Sequence, residues 1–231
     1  MCISIHFLTC KVPKHHPLVG FHKSLVDSKT SAKDIIINLR ESLKGGVVPF
    51  KEIKVMVVGE PAVGKTTMLK ILYGHSSSRE LAAQPCLATD GIGLGEMTLE
   101  GYRMVFWDFA GQEVYRYTHQ LFLSDNSVCL VTFRLTTPDE EVRKQLVYWM
   151  DSILQRAPNA DCLMVGTHSC HFPSEVVHLR IQTHLRYLKD RYGDRISGGV
   201  AIDSLNNVGF KDLKKELLRV TKQKVFENLL I

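Results

Sequence analysis

The chain has 231 residues, of which 45% are hydrophobic, so it is long enough for one domain of about 170–180 residues with a full core. Its net charge of +5 is mild and its lysines form no basic block, so the composition does not indicate nucleic-acid binding. No stretch approaches the roughly 18 apolar residues of a membrane span, and no signal peptide or lipid anchor is expected. Six scattered cysteines without a CxxC pair favour a cytoplasmic location.

The chain is predicted to have three parts: a loosely ordered tail over residues 1–30, a helix and linker over residues 31–50, and an α/β domain over residues 51–226. Predicted strands cover residues 53–58, 93–99, 103–108, 127–133, 161–165 and 199–202. Predicted helices cover residues 65–73, 139–156, 174–192 and 211–226. Because apolar strands alternate with helices, the pattern predicts a six-stranded, mostly parallel sheet with helices on both faces. A turn at Glu100-Gly101 predicts that the second and third strands pair antiparallel.

A phosphate loop follows the first strand. The octapeptide GEPAVGKT, residues 59–66, fits the pattern G-x-x-x-x-G-K-[ST] between a buried strand and a helix. Its glycines let the backbone curl so that successive N–H groups point at one anion, and the helix adds its N-terminal dipole. The predicted phosphate-binding residues are Gly59, Ala62, Val63, Gly64, Lys65, Thr66 and Thr67. Lys65 can reach the β- and γ-phosphates, and the Thr66 hydroxyl can hold Mg²⁺. A plain glycine-rich turn is the competing interpretation.

A second motif, DFAGQ, begins at Asp108, about 40 residues after the phosphate loop. Asp108 can bind Mg²⁺ through water, Gly111 can offer its N–H to the γ-phosphate, and Gln112 can orient an attacking water. Thr89, in the loop before the second strand, can ligate Mg²⁺ through its hydroxyl, although a structural role competes for a lone threonine. Lys65 and Gln112 are thus the predicted catalytic residues.

Together these motifs resemble the Ras-like small GTPase superfamily, and finer features resemble the Roc domains of Roco proteins. Residues 107–123 are similar to the Roc switch II region, residues 89–92 to its first switch, and residues 165–168 to its base-recognition loop. The helix over residues 32–44 resembles the segment that leads into Roc domains, so the resemblance covers about residues 31–226. It implies binding of GTP or GDP and Mg²⁺, slow hydrolysis, and a switch role in a larger polypeptide. Protein partners or homodimerisation through a COR-type domain outside this sequence are also implied.

The resemblance further implies base contacts from Thr167, His168 and residue 170, where this chain departs from the family pattern. Cys170 stands where the family carries Asp, whose carboxylate accepts two N–H groups of guanine. A thiol is a poor acceptor, and charge-assisted hydrogen bonds contribute about 1.5–3 kcal/mol each, so GTP affinity is expected to fall about 100-fold or more. Asp161 lies at the wrong end of its strand to replace this carboxylate, whereas Glu175 could swing in.

Two further features bear on the chemistry. Pro61 has no N–H and its ring can crowd a partner's arginine finger, which predicts slow turnover. Backbone N–H groups of residues 201–204 could touch the base.

Three functions therefore stay open. The first is a GTP-binding switch with slow GTPase activity, and the second is a pseudo-GTPase that scaffolds partners, favoured by Cys170 and Pro61. The third is a P-loop ATPase whose base preference is relaxed by Cys170.

Overall fold

The computed structural model of the protein describes residues 51–74, 92–109 and 124–228, with side chains described up to residue 226. Within these ranges the chain forms six strands: β1 (Glu52–Val58), β2 (Ile92–Leu99), β3 (Tyr102–Phe109), β4 (Ser127–Arg134), β5 (Asp161–Thr167) and β6 (Ile196–Ala201). Four α-helices accompany them: α1 (Lys65–Leu72), α2 (Asp139–Arg156), α3 (Ser174–Tyr192) and α4 (Phe210–Asn228). The predicted tail and leading helix lie outside the described residues, as do Thr89, Gly111 and Gln112.

All six strands form one sheet in the order β2-β3-β1-β4-β5-β6. Only β2 and β3 pair antiparallel, and the other neighbours are parallel. The hairpin turn places Glu100 and Gly101 at φ values of 47° and 79°, the left-handed conformation that two-residue hairpin turns require. The predicted α/β fold with a six-stranded, mostly parallel sheet is confirmed.

Helices cover both faces of the sheet. Helices α1 and α4 pack on the face that receives Val55 and Val57, and α2 and α3 pack on the face that receives Met56 and Val58. Because the central strands are buried on both sides, their sequences are almost continuously apolar, which is why they were predictable. Within the described ranges, no helix combines the length and apolar character that a membrane span requires.

Strand β6 differs from its prediction. It runs over Ile196–Ala201 rather than residues 199–202. The reason is a pair of glycines, Gly198 and Gly199, which interrupt the apolar pattern in mid-strand. A Cβ at Gly199 would lie 3.1 Å from Met164 Cε and 3.2 Å from Ile181 Cγ2, so this glycine lets α3 pack closely on the sheet.

The carboxyl ends of the parallel strands meet at one edge of the sheet. From β1 the chain goes first to β2 and β3 on one side and then to β4 on the other, which makes a topological switch point beside β1. Ligands of open α/β sheets bind outside the carboxyl ends of strands at such a point. The phosphate loop, Asp108 and Thr167 all lie at this edge.

A buried histidine joins α3 to the start of α2. His184 Nε2 lies 3.2 Å from Asp139 Oδ1, and its ring packs edge-on against Phe133. Arg180 donates to the same carboxylate oxygen and to Thr137 O. Burial lowers the pKa of His184, and the nearby Arg143 and Arg180 charges lower it further, although Asp139 opposes them. The folded protein therefore favours the neutral imidazole.

This histidine predicts acid-sensitive stability. Since the unfolded chain has an ordinary histidine pKa of about 6.5, it binds the proton more readily than the folded chain, and the stability falls as the pH drops below about 6.5. The slope is at most about 1.4 kcal/mol per pH unit for one histidine. Urea unfolding between pH 7.5 and pH 5 measures it. His184→Gln should flatten the slope, whereas His178→Gln, at an exposed site on the same helix, should not. An unchanged slope in His184→Gln would contradict the assignment.

Candidate functional site

The phosphate loop is a tight curl between β1 and α1. Gly59, Ala62 and Gly64 have positive φ values of 146°, 55° and 95°, and α1 begins directly after Gly64. Such alternation of backbone conformation forms a concave nest of N–H groups that suits an anion. At Gly59 a Cβ would lie only 2.2 Å from Thr132 O, so no other residue fits there without a shift of the backbone.

Two side chains at the ends of β4 and β5 donate hydrogen bonds to carbonyl groups of the phosphate loop. The Arg134 guanidinium donates to Ala62 O at 2.7 Å, and the Thr167 hydroxyl donates to Val63 O at 2.7 Å. These two hydrogen bonds stabilise the curled form of the phosphate loop. The link through Thr167 also connects the predicted base-recognition loop to the phosphate loop.

Lys65 lies inside the curl and is only 6% exposed. Its ammonium donates to Gly59 O and Glu60 O, each at 2.9 Å. Burial lowers the pKa of Lys65 to about 8, while the negative charges of Asp108 and Glu60 oppose the shift. An ammonium group in this setting is stabilised by an added anion, as expected of a phosphate-binding lysine.

Thr66 and Asp108 meet at the end of β3. The Thr66 hydroxyl donates to Asp108 Oδ2 at 2.6 Å, and Asp108 is 5% exposed. Burial raises the pKa of Asp108, whereas the Thr66 hydrogen bond and the Lys65 charge lower it in part. Among the described residues, Asp108 Oδ1 is buried without a hydrogen-bond partner. The Thr66 hydroxyl oxygen and this carboxylate oxygen of Asp108 are ligands that fit Mg²⁺, which prefers oxygen ligands.

A cavity of about 240 Å³ adjoins the phosphate loop. It is lined by Ala62, Gly64, Thr67, Arg134, Thr167, His168, Cys170, Asp203, Ser204 and Leu205. The structure thus brings the predicted base-recognition residues together with the phosphate loop. Burial, followed by the charges of Arg134 and His171, lowers the pKa of His168, so a flat neutral ring lies in the wall of the cavity near neutral pH.

Two lining residues, Arg134 and Leu205, were not predicted from the sequence, and only the backbone of Asp203 was considered. Arg134 ends β4 and Asp203 follows β6 at this edge, and that position was the signal that could have found their side chains. The considered substitute Glu175 does not line the cavity; its carboxylate accepts from Ser174 Oγ. Asp161 lies at the opposite edge and pairs with Lys224 at 3.3 Å.

The backbone N–H of Asp203 is also hydrogen-bonded within the chain. Its N–H, one of the amides considered for base contact, donates to Val208 O at 3.0 Å. The expected contact of this backbone N–H with the base is therefore wrong, because the N–H is already bonded within the chain.

The fold and the phosphate loop at its carboxyl edge define a P-loop protein of the Ras-like class. The family described as "Ras of Complex, Roc, domain of DAPkinase" matches residues 54–169, about half of the chain. The chain therefore belongs to the Roc family, as its motifs predicted.

Relatives include the probable serine/threonine-protein kinase pats1 of Dictyostelium discoideum, 35% identical over 59% of this chain and 5% of the relative. Cyclic GMP-binding protein C of the same organism is 29% identical over 79% of this chain and 7% of the relative. A solved structure of Methanosarcina barkeri Roco2 RocCORdC bound to GDP shares the fold, with a TM-score of 0.59. Its 24% identity extends over 76% of this chain and 50% of that chain. The chain spans only a small fraction of the curated relatives' lengths.

Proposed function

We propose that this chain is a guanine-nucleotide-binding module that hydrolyses GTP slowly with Mg²⁺. The observation that carries the proposal is the contact between Thr66 and Asp108, whose second carboxylate oxygen is buried and has no hydrogen-bond partner in the described part of the chain. A structural ion pair or turn would not need an unsatisfied buried oxygen there, whereas a cation next to phosphate would satisfy it.

This arrangement would give the nucleotide two adjoining binding regions, one for its phosphates and one for its base. Gly59 and residues 62–67 would bind the phosphates through their N–H groups and the Lys65 ammonium, and the neighbouring cavity would take the base. The cavity is smaller than the roughly 300–1,000 Å³ of pockets for whole drug-sized ligands, as expected if it holds only part of the ligand. Membership of the Roc family, together with GDP in the Roco2 structure, supports guanine as the base.

Thr66 and Asp108 would hold Mg²⁺, with Thr89 as the further ligand from the first switch. Such an ion neutralises charge on the β- and γ-phosphate oxygens. Gln112 would orient the attacking water, and Gly111 would donate its N–H to the γ-phosphate. Slow GTP turnover follows from Pro61, because this residue is exposed in the phosphate loop and its ring can crowd an arginine finger supplied by a partner protein.

Single-turnover hydrolysis of GTP tests this function. We expect a rate below about one per second with Mg²⁺, in the range of intrinsic small-GTPase turnover, and loss of hydrolysis in EDTA. Gln112→Leu should slow hydrolysis while GTP binding persists. The matched control Gln182→Leu, at an exposed site on α3, should hydrolyse GTP like the unaltered chain. Equal rates for Gln112→Leu and the control would contradict the role of Gln112.

A second candidate is a pseudo-GTPase that binds partners irrespective of nucleotide. Cys170, in a short 3₁₀ turn after β5, favours it, because the family carries the guanine-binding Asp there. In that case Lys65→Ala would leave partner binding unchanged. In either case we propose that the chain is one module of a larger cytoplasmic Roco-type protein, with a COR-type domain as its partner.

A further inference from the structure

We propose that Asp203 supplies the carboxylate that binds the guanine edge of the nucleotide, in place of the residue at position 170. This inference rests on the proposed nucleotide binding and names the residue that selects the base. The guanine-binding carboxylate would then come from the loop after β6 rather than from the loop after β5.

The two loops are held side by side. Ser169 N–H donates to Ile202 O at 3.3 Å, and Ile202 N–H donates to Gly166 O at 2.8 Å. As a result, Cys170 and Asp203 line the same cavity. A carboxylate at position 203 therefore borders the same space as a side chain at position 170.

Hydrogen bonds within its own loop orient the Asp203 carboxylate. It is 3% exposed, and its Oδ1 accepts from Leu205 N–H at 2.9 Å. Its Oδ2 accepts from the Asn206 amide at 2.5 Å. A carboxylate has about four acceptor positions, so these two bonds leave it able to accept more.

The Cys170 thiol is a weak competitor for this carboxylate. Desolvation, together with the negative charge of Asp203, raises the pKa of Cys170, so the thiol keeps its proton near neutral pH. A thiol is a weak hydrogen-bond donor, whereas the ring N–H and exocyclic amine of guanine are strong ones. Guanine can thus bind the Asp203 carboxylate in the presence of the thiol, and the cysteine need not accept any bond itself.

This arrangement selects among bases. Adenine presents a lone pair where guanine presents its ring N–H, and two acceptors facing each other in a buried site repel. Xanthine has a carbonyl in place of the exocyclic amine of guanine. An amide at position 203 would offer a donor to that carbonyl, so Asp203→Asn should shift the preference from guanine towards xanthine.

Calorimetric titration of the full chain with GDP, xanthosine diphosphate and ADP tests the assignment. The unaltered chain should bind GDP in preference to both other nucleotides. Asp203→Asn should weaken GDP by about 10- to 100-fold, the contribution of charge-assisted hydrogen bonds. It should bind xanthosine diphosphate at least as well as GDP, and binding of that nucleotide shows that the variant is folded.

Two control variants separate base recognition from loop structure. Asn206→Ala removes a bond to the carboxylate but keeps the charge, so it should lower the melting temperature and preserve the order of nucleotide preference. Cys170→Ala removes a weak donor from the cavity and keeps the Asp203 carboxylate, so GDP affinity should be equal or higher. A large loss of GDP affinity in Cys170→Ala would assign base recognition to Cys170 and overturn the proposal.

The remaining outcomes are also decisive. Equal weakening of all three nucleotides by Asp203→Asn would show a structural role only, and unchanged GDP affinity would show no role in binding; both overturn the proposal. If the unaltered chain binds GDP and ADP equally, base selection by Asp203 fails while phosphate binding stands. If it binds no nucleotide, the proposed function itself fails.

Discussion

Replacing Lys65 by alanine is expected to reduce the affinity for GDP and GTP at least about 100-fold, because each charged hydrogen bond to phosphate contributes about 1.5–3 kcal/mol. The ammonium is already inside the phosphate loop, where it donates to Gly59 O and Glu60 O. It therefore needs little reorganisation to reach the β- and γ-phosphates.

Titration with a fluorescent GDP analogue measures this loss. Lys70→Ala is the matched control, since Lys70 lies on the same helix but is exposed, and its affinity should stay within about twofold of the unaltered chain. Circular dichroism of Lys65→Ala checks that the helices persist. Affinity in the folded Lys65→Ala variant within about threefold of the unaltered chain would contradict the placement of phosphate in this loop.

The second large effect is expected from Gly59→Ala. The new Cβ would lie 2.2 Å from Thr132 O at a φ of +146°, so either β4 or the loop must move. Strain and steric overlap of this kind cost about 3 kcal/mol or more. For a chain of this size, the melting temperature should fall by roughly 6–12 °C. GDP affinity should fall as well, because the same shift distorts the nest.

Gly101→Ala separates the steric clash from the cost of a positive φ alone. Gly101 has a φ of +79°, and a Cβ at this position would have no atom of the described residues within 4 Å. Its replacement should cost only about 1–2 kcal/mol and leave GDP binding unchanged. Thermal unfolding of both variants makes the comparison, and equal melting temperatures would contradict the packing described for Gly59.

Much of the fold could be predicted because its signals are local. Helix α2 has its predicted bounds, residues 139–156, since Pro138 and Pro158 mark its ends and Leu146 and Met150 supply the apolar face. Strand β6 was harder to place, because Gly198 and Gly199 have no side chains to continue an apolar pattern.

The site was predictable only where one sequence motif contains it. The phosphate loop, residues 59–66, is such a motif, and the structure places Lys65 within its curl. Cys170 and Asp203 lie on loops 33 residues apart, and they line one cavity because β5 pairs in parallel with β6. Residue spacing along the sequence does not reveal that pairing. The absence of an acid at position 170 therefore predicted weaker guanine binding, and Asp203 was not identified as a substitute.

Competition for a bound fluorescent GDP analogue by unlabelled GDP, GTP, ADP and ATP, with Mg²⁺ present, tests the central claim most directly. We predict micromolar or tighter binding of both guanine nucleotides and at least about 10-fold weaker binding of both adenine nucleotides, since the base contributes charge-assisted hydrogen bonds. Absence of GDP binding, or equal competition by ADP, would contradict the assignment of this chain as a guanine-nucleotide-binding module.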